Sequence, residues 1–303
     1  MEKIKAIFCW SGGKDSAMAL YTILQENKYE VKYLLTTING QNHRIAMHGV
    51  KEALLDAQAQ AIGIPQLKVY TYEATNDAYE KAMEQTLLQA KAEGIQHVIF
   101  GDIFLEDLRT YRENNLAKVQ MQAVFPLWKQ DTTYLVNKFI DTGFKTITCC
   151  INDACLTAEH VGQLITHDYI NQLPVGVDPC GENGEFHTFC FDGPIFNQAI
   201  PIEAEQKIYM PLTLPVNTDN DVCNTEIKTK GFWYNELSLI DPSNTQYKKC
   251  PHCFTYFKCK VDDISQCQCS TVKLNANQLN YIASKYTDCL CANCMQQLAA
   301  EAN

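Results

Sequence analysis

No run of this sequence approaches the roughly 20 apolar residues that a membrane-spanning helix requires, so no helical span and no membrane partner are expected. Met1 to Lys5 lead into a charged loop by Lys14, without an apolar secretory core or a cleavage pattern, and a cytoplasmic chain is the expectation. Positive charge is in deficit too. The 25 Lys and Arg residues face 35 Asp and Glu, giving a net charge of -10 and a pI near 5.2. That balance argues against broad nonspecific binding to nucleic acid and leaves only a local basic patch open. Internal repeats and low-complexity tracts are absent, which excludes repeat arrays and compositionally biased linkers.

What is present is a globular composition, 46% hydrophobic and 20% charged over 303 residues, long enough for two or three domains. Cysteine is abundant, with 15 in all. Without an export signal these point to metal or redox chemistry more than to a disulfide framework. Eight of them fall in the last 54 residues, so the chain has two chemically different parts.

Ile4, Ala6, Ile7, Phe8 and Trp10 read as a buried strand, and Ser16 to Leu24 carries apolar residues spaced for one helix face. Between them lies Ser11-Gly12-Gly13-Lys14-Asp15-Ser16. The glycines let backbone N–H groups approach an anion, Ser11 and Ser16 add hydroxyls, and the helix aims its positive end at the same spot. The order differs from the Walker loop, because here the lysine follows two adjacent glycines and precedes an aspartate. The string resembles the PP-loop of the ATP pyrophosphatase superfamily, whose members cleave ATP between the α and β phosphates.

Further strands are predicted over 31–38, 66–72, 97–100, 123–126 and 146–151. Helices are predicted over 50–62, from a cap at Asn76 to Glu93, and over 105–121 and 132–142. Such alternation implies an α/β fold: a parallel sheet with helices on both faces over 1–151. Ligands bind beyond the carboxyl ends of such strands, which makes Ser11–Ser16 and Gly101-Asp102 neighbours. From Asn152 the character changes to Gly and Pro turns with later strand-like runs at 208–214 and 226–234, read as a smaller α+β substrate or acceptor domain over 152–240. A polar turn, Asp241 to Thr245, leads into a small cysteine-rich metal-binding module over 249–303.

The loop Asp178-Pro179-Cys180-Gly181-Glu182-Asn183-Gly184-Glu185-Phe186-His187-Thr188 is dense in carboxylates and suits a cation, a substrate amine or the nucleotide, with a solvated turn as the alternative. SGGKDS, Gly101-Asp102-Ile103 and GENGEFHT together resemble the diphthine-ammonia ligase family of PP-loop proteins, over about Met1 to Tyr234. The resemblance implies an ATP-dependent amide synthesis in which a carboxylate is activated as an acyl-adenylate and ammonia displaces AMP. Ser11, Gly12, Gly13, Lys14, Asp15, Ser16, Gly101 and Asp102 would bind ATP, with His48 before the second helix facing the nucleotide or packing. Magnesium would bridge the phosphates on Asp15 or Asp102. Lys14 and Asp15 would act on the phosphates. Glu182, Asn183, Glu185, His187 and Thr188 would shape the acceptor and ammonia site, Glu185 or His187 taking a proton. Arg112 would reach the phosphates or the acceptor carboxylate, or remain a surface charge. The acceptor implied is a protein, elongation factor 2; a homodimer is left open.

Cys250-Pro251-His252-Cys253 and Cys291-Ala292-Asn293-Cys294 are two C-x-x-C knuckles 37 residues apart, a pattern for structural zinc. Cys259, Cys267, Cys269 and Cys289 remain for a second site, and an iron-sulfur cluster or reduced thiols are the alternatives. The segment resembles the bacterial cysteine-rich CWC family. Cys180 reads as a buried small residue, with a catalytic thiol as the alternative. Two further functional readings stay open: a PP-loop enzyme adenylating tRNA or a cofactor precursor, and a nucleotide-sensing adaptor.

Overall fold

A computed structural model describes residues 2–45, 48–72, 75–212 and 230–302. In chain order the first half carries β1 (Ile4–Cys9), α1 (Lys14–Glu26), β2 (Tyr29–Asn39), α2 (Glu52–Ile62), β3 (Gln66–Thr71), α3 (Asn76–Ala92), β4 (His97–Ile99), α4 (Glu106–Lys118), β5 (Gln122–Val124) and α5 (Thr132–Asp141). These strands form a parallel sheet in the order β3-β2-β1-β4-β5. The order reverses at β1, so the chain leaves β1 and β4 toward opposite faces and a crevice opens beyond their carboxyl ends. Alternate residues of β1 feed two cores: Ala6 and Phe8 pack with α1 and α2, Ile7 with Leu87, Val98 and Leu116 on the other face.

The rest continues with β6 (Lys145–Asn152), α6 (His167–Asn171), β7 (Phe186–Asp192), β8 (Ile202–Pro211), β9 (Gly231–Leu239), β10 (Tyr247–Lys249), β11 (Tyr256–Lys258), α7 (Ala276–Lys285) and α8 (Ala292–Glu301). A mixed six-stranded sheet runs β10-β11-β8-β9-β6-β7. Here one sequence expectation is corrected: the strand at 146–151 pairs antiparallel with β7 and β9 in this second sheet and does not close the parallel one. Its near-continuous burial fits either setting, so apolar pattern alone does not choose the partner. One core runs through both sheets, joining Phe8 and Leu54 to Phe139, Phe189 and Leu237. Thr75, not Asn76, caps α3 by accepting from the Ala78 N–H. Parts of the runs expected at 208–214 and 226–234 lie outside the described residues, as do Met47 and Cys223.

The C-terminal module is joined to the second sheet. Its β10–β11 hairpin meets β8 in parallel at Tyr256 and Glu203, and Leu164 of the body packs into the small cluster of Phe257, Leu290 and Leu298.

Candidate active site and thiolate centre

The loop after β1 is held open by groups far away in sequence. Gly12 has φ +80°, a conformation that favours glycine, and a Cβ there would meet Gln58 Oε1 at 2.6 Å. Its carbonyl accepts from Gln58 Nε2 (2.9 Å) and from the Cys190 N–H of β7 (2.8 Å). Gln58 is fully buried, and its Oε1 also accepts from Trp10 Nε1 at 2.8 Å while its Nε2 donates to the Cys190 carbonyl. Gly13 is the cap residue of α1, and no side chain of its own satisfies the first turn. Thr188 Oγ1 supplies the missing acceptor, taking the Lys14 N–H at 2.9 Å.

Lys14 is 3% exposed. Its ammonium is paired with both oxygens of Asp15 at 2.8 and 2.7 Å, donates to the Cys180 carbonyl, and stands 5.4 Å from the Phe186 ring centre. Burial pushes Lys14 down, but the surrounding acidic groups, Asp15 foremost and then Cys180 and Glu182, together outweigh it and the amine is held above its ordinary range. Asp15 moves up through burial, which outweighs Lys14. Gly101 makes the neighbouring strand end fit: a Cβ there would stand 3.1 Å from the Ser16 nitrogen. Ser11 Oγ and Ser16 Oγ lie 3.2 Å apart beside it.

The second loop crosses to this crevice. Glu182 Oε1 accepts from the Ile103 N–H at 2.8 Å, pinning the GENGEF segment to the end of β4. Burial first, then the Asp15 charge, push Glu182 from 4.5 up to about 7. Glu185 is 4% exposed and holds the loop itself, its oxygens accepting from the N–H groups of Asp178 and Asn183 and from the Asn183 amide. Asn183 is engaged in the same contact. His187 stacks on His48 with ring centres 4.6 Å apart, and His48 Cε1 is 3.3 Å from where a Cβ on Gly13 would stand. Burial, with the Lys14 charge, lowers His187 to about 4; burial and then His187 lower His48 well below 6.5. Both rings are neutral near pH 7, and His48 Nδ1 and His187 Nε2 are buried without a hydrogen-bond partner.

Arg112 is turned inward. Its Nε stands 2.7 Å from Asp102 Oδ2, another nitrogen donates to Oδ1 at 3.0 Å, and the guanidinium lies 4.5 Å over Phe100. It therefore neutralises Asp102 at the end of β4. Cys180 is buried, its thiol is pushed up by burial, and its carbonyl is the group that meets Lys14. Sequence reasoning missed Gln58, which an alanine-rich helix disguises, and the Cys180 carbonyl, which no side-chain pattern advertises.

At the other end, the Sγ atoms of Cys250, Cys253, Cys291 and Cys294 all lie within 4.8 Å of one another. Four sulfurs at about 2.3 Å from one zinc ion stand about 3.8 Å apart, and Cys253 and Cys291 are 3.7 Å apart. The donor set and spacing fit a tetrahedral thiolate centre.

Both loops and the thiolate centre have counterparts in known proteins. A family model described as diphthamide synthase N-terminal domain matches residues 4–123, and one described as diphthamide synthase C-terminal domain matches 131–214. The chain belongs to the diphthamide synthase family. A third model, cysteine-rich CWC, matches 250–296 and covers the thiolate centre appended to the family's two domains. Family relatives include the diphthine–ammonia ligases of Danio rerio, 26% identical over 65% of this chain and 86% of the relative, and of Mus musculus, 24% identical over 65% and 82%. The diphthine–ammonia ligase of Schizosaccharomyces pombe is 23% identical over 44% of this chain and 22% of its own length. Among the described residues no helix is long and apolar enough to cross a membrane.

Proposed function

We propose that the chain is an ATP-dependent amide ligase of the diphthine–ammonia ligase type. The observation that carries this reading is the junction of the two family loops: Lys14 bonds Thr188 and the Cys180 carbonyl, while Glu182 bonds Ile103. The glycine turn, the start of α1 and Lys14 receive the ATP phosphates. Asp15, at the start of α1 beside the glycine turn, is an oxygen donor suited to magnesium. Magnesium, when bound, neutralises phosphate charge.

The acceptor carboxylate attacks the α phosphorus, the bond to the bridging oxygen of the β phosphate breaks, and pyrophosphate leaves with Lys14 stabilising its charge. Ammonia then attacks the acyl carbon, the carbon–oxygen bond to AMP breaks, and the surplus proton on nitrogen passes to the Glu182 carboxylate. A carboxyl titrating near 7 is suited to that transfer. Glu185 and Asn183 hold the loop, and the neutral His48 and His187 form a stacked pair beside Gly13.

The test follows α-labelled ATP with magnesium and ammonium, with and without diphthine-bearing elongation factor, by chromatography of AMP. AMP formed only with the factor supports the ligase and is abolished in Asp15→Ala. AMP formed with another acceptor points to adenylation of a different substrate. ATP binding without AMP under every condition supports the nucleotide-sensing adaptor and removes the ligase.

A further inference from the structure

The turn that carries His48 is gripped from the second sheet. The Ile45 N–H donates to the Val50 carbonyl at 2.9 Å and the Gly49 N–H to the Ile45 carbonyl at 3.1 Å, so the backbone of the turn closes on itself. Its outer side meets β9. Successive side chains of a strand point to opposite faces: Asn235 and Leu237 are buried on one face of β9, while Tyr234, Glu236 and Ser238 share the other. Those three meet the turn or Lys51 just beyond it.

Arg44 and Glu236 form a fork. Arg44 Nη1 stands 2.9 Å from Glu236 Oε1 and Nη2 donates to Oε2 at 2.9 Å, with the two side chains 30% and 14% exposed. Two parallel charged bonds fix orientation as well as distance. Nη1 also donates at 2.6 Å to the carbonyl of Gly49, the chain neighbour of His48. Lys51, the cap residue of α2, stands 3.3 Å from Glu236 Oε2 and donates to Ser238 Oγ at 2.8 Å. Gly49 has φ +67°, and a Cβ there would stand 2.7 Å from the Tyr234 ring, so glycine is what lets the turn seat this closely. The cavity left between Arg44, His48, Gly49, Tyr234 and Glu236 is about 10 Å³, room for one water at most.

With the glycine turn read as the ATP phosphate site, we infer that Glu236 is a positioning residue for that site: through Arg44 and the Gly49 carbonyl it sets the His48 ring on His187 and against Gly13. The far end of this linkage is the stacked ring pair, with centres 4.6 Å apart, and His48 Cε1 is 3.3 Å from the Cβ position of Gly13. Gly13 and the start of α1 offer the backbone donors for phosphate, so a small displacement of His48 crowds or uncovers the anion site. A strand of the second sheet thereby completes a nucleotide site whose phosphate turn belongs to the first.

Equilibrium dialysis of ATP against the full chain is the test. Glu236→Ala should weaken ATP binding about fivefold, Arg44→Met by a similar factor, and the double variant no further, because either change breaks the same link. Lys207→Met is the control for lost stability: it removes a bond to the Ala158 carbonyl on the opposite face of the same sheet, beside Asn235, and should bind ATP as the wild type does. A spectroscopic readout separates placement from folding. Stacking on His187 displaces the His48 imidazole proton signals through ring current, a displacement expected to be lost in Glu236→Ala and kept in Lys207→Met. Wild-type ATP affinity or unaltered imidazole signals in Glu236→Ala and Arg44→Met overturn the positioning role, as does an equal loss in Lys207→Met. Should Glu236→Ala fail to fold, Arg44→Met reads the same link from its other side. A wild type that binds no ATP removes the ATP reading of the glycine turn instead, and the imidazole signals then decide whether Glu236 positions His48.

Discussion

Replacing Gln58 by leucine tests whether the phosphate loop is held from below. Leucine keeps the volume near α2 but removes the acceptor of the Trp10 indole and the donor to the Gly12 and Cys190 carbonyls. The Gly12 carbonyl keeps the Cys190 N–H, whereas the buried indole N–H loses its partner. An orphaned buried donor costs about 1–3 kcal/mol and each net hydrogen bond about 1, giving a loss of roughly 3 kcal/mol. At roughly 2–4 °C per kcal/mol for a unit of this size, calorimetry should record a drop of about 6–12 °C in the unfolding midpoint. The loosened Gly12 turn should weaken ATP binding about fivefold by equilibrium dialysis, equivalent to about 1 kcal/mol. Gln60→Leu, on the exposed side of the same helix, is the control and should stay within about 0.5 kcal/mol. If the two variants behave alike, the buried glutamine does not support the loop and the reasoning fails.

Three other outcomes are expected. The Glu182 carboxylate is the form that accepts a proton, so turnover referred to free ammonia should climb as pH rises toward about 7 and level off above it; Glu182→Gln should be slow and lack that rise, and an unaltered profile would exclude the base role. Arg112→Met leaves Asp102, 10% exposed, without its cation and should cost about 3–5 kcal/mol by thermal unfolding, with most of it regained in Arg112→Met/Asp102→Asn; equal losses in the single and double variants would refute the pairing. His48 and His187 should remain neutral from pH 5.5 to 8 in imidazole NMR titrations, as burial holds His187 near 4; a midpoint near 6.5 for either ring would contradict their placement.

Much of the first sheet was legible because its strands carry apolar runs that alternate with helices bearing a capping or glycine signal, as at Gly63 and Gly94. The meeting of SGGKDS with Gly101-Asp102 followed from the same alternation, since both end strands on either side of the reversal. The partner of β6 was not legible, because a run such as Lys145–Asn152 is buried in parallel and antiparallel sheets alike. Within the loops, residue identity told which groups gather and not how they are used. Glu182 and Glu185 look equivalent in sequence, yet one is drawn to the crevice by a single backbone N–H and the other is consumed by three donors of its own loop.

The parallel contact between β11 and β8 has a consequence for the protein deprived of metal. With the thiolate centre intact, the hairpin β10–β11 meets the outer side of β8 at one residue pair, Tyr256 and Glu203, near the start of that strand. Should that hairpin come away when the ion is removed, the backbone around Glu203 would join the part of the β8 edge that β11 does not reach, which ends at the exposed Met210. Such an edge is a template for pairing with another chain. Metal starvation would then be felt first as self-association of otherwise folded molecules, with the ion serving as guardian of solubility at a sheet margin far from the nucleotide crevice.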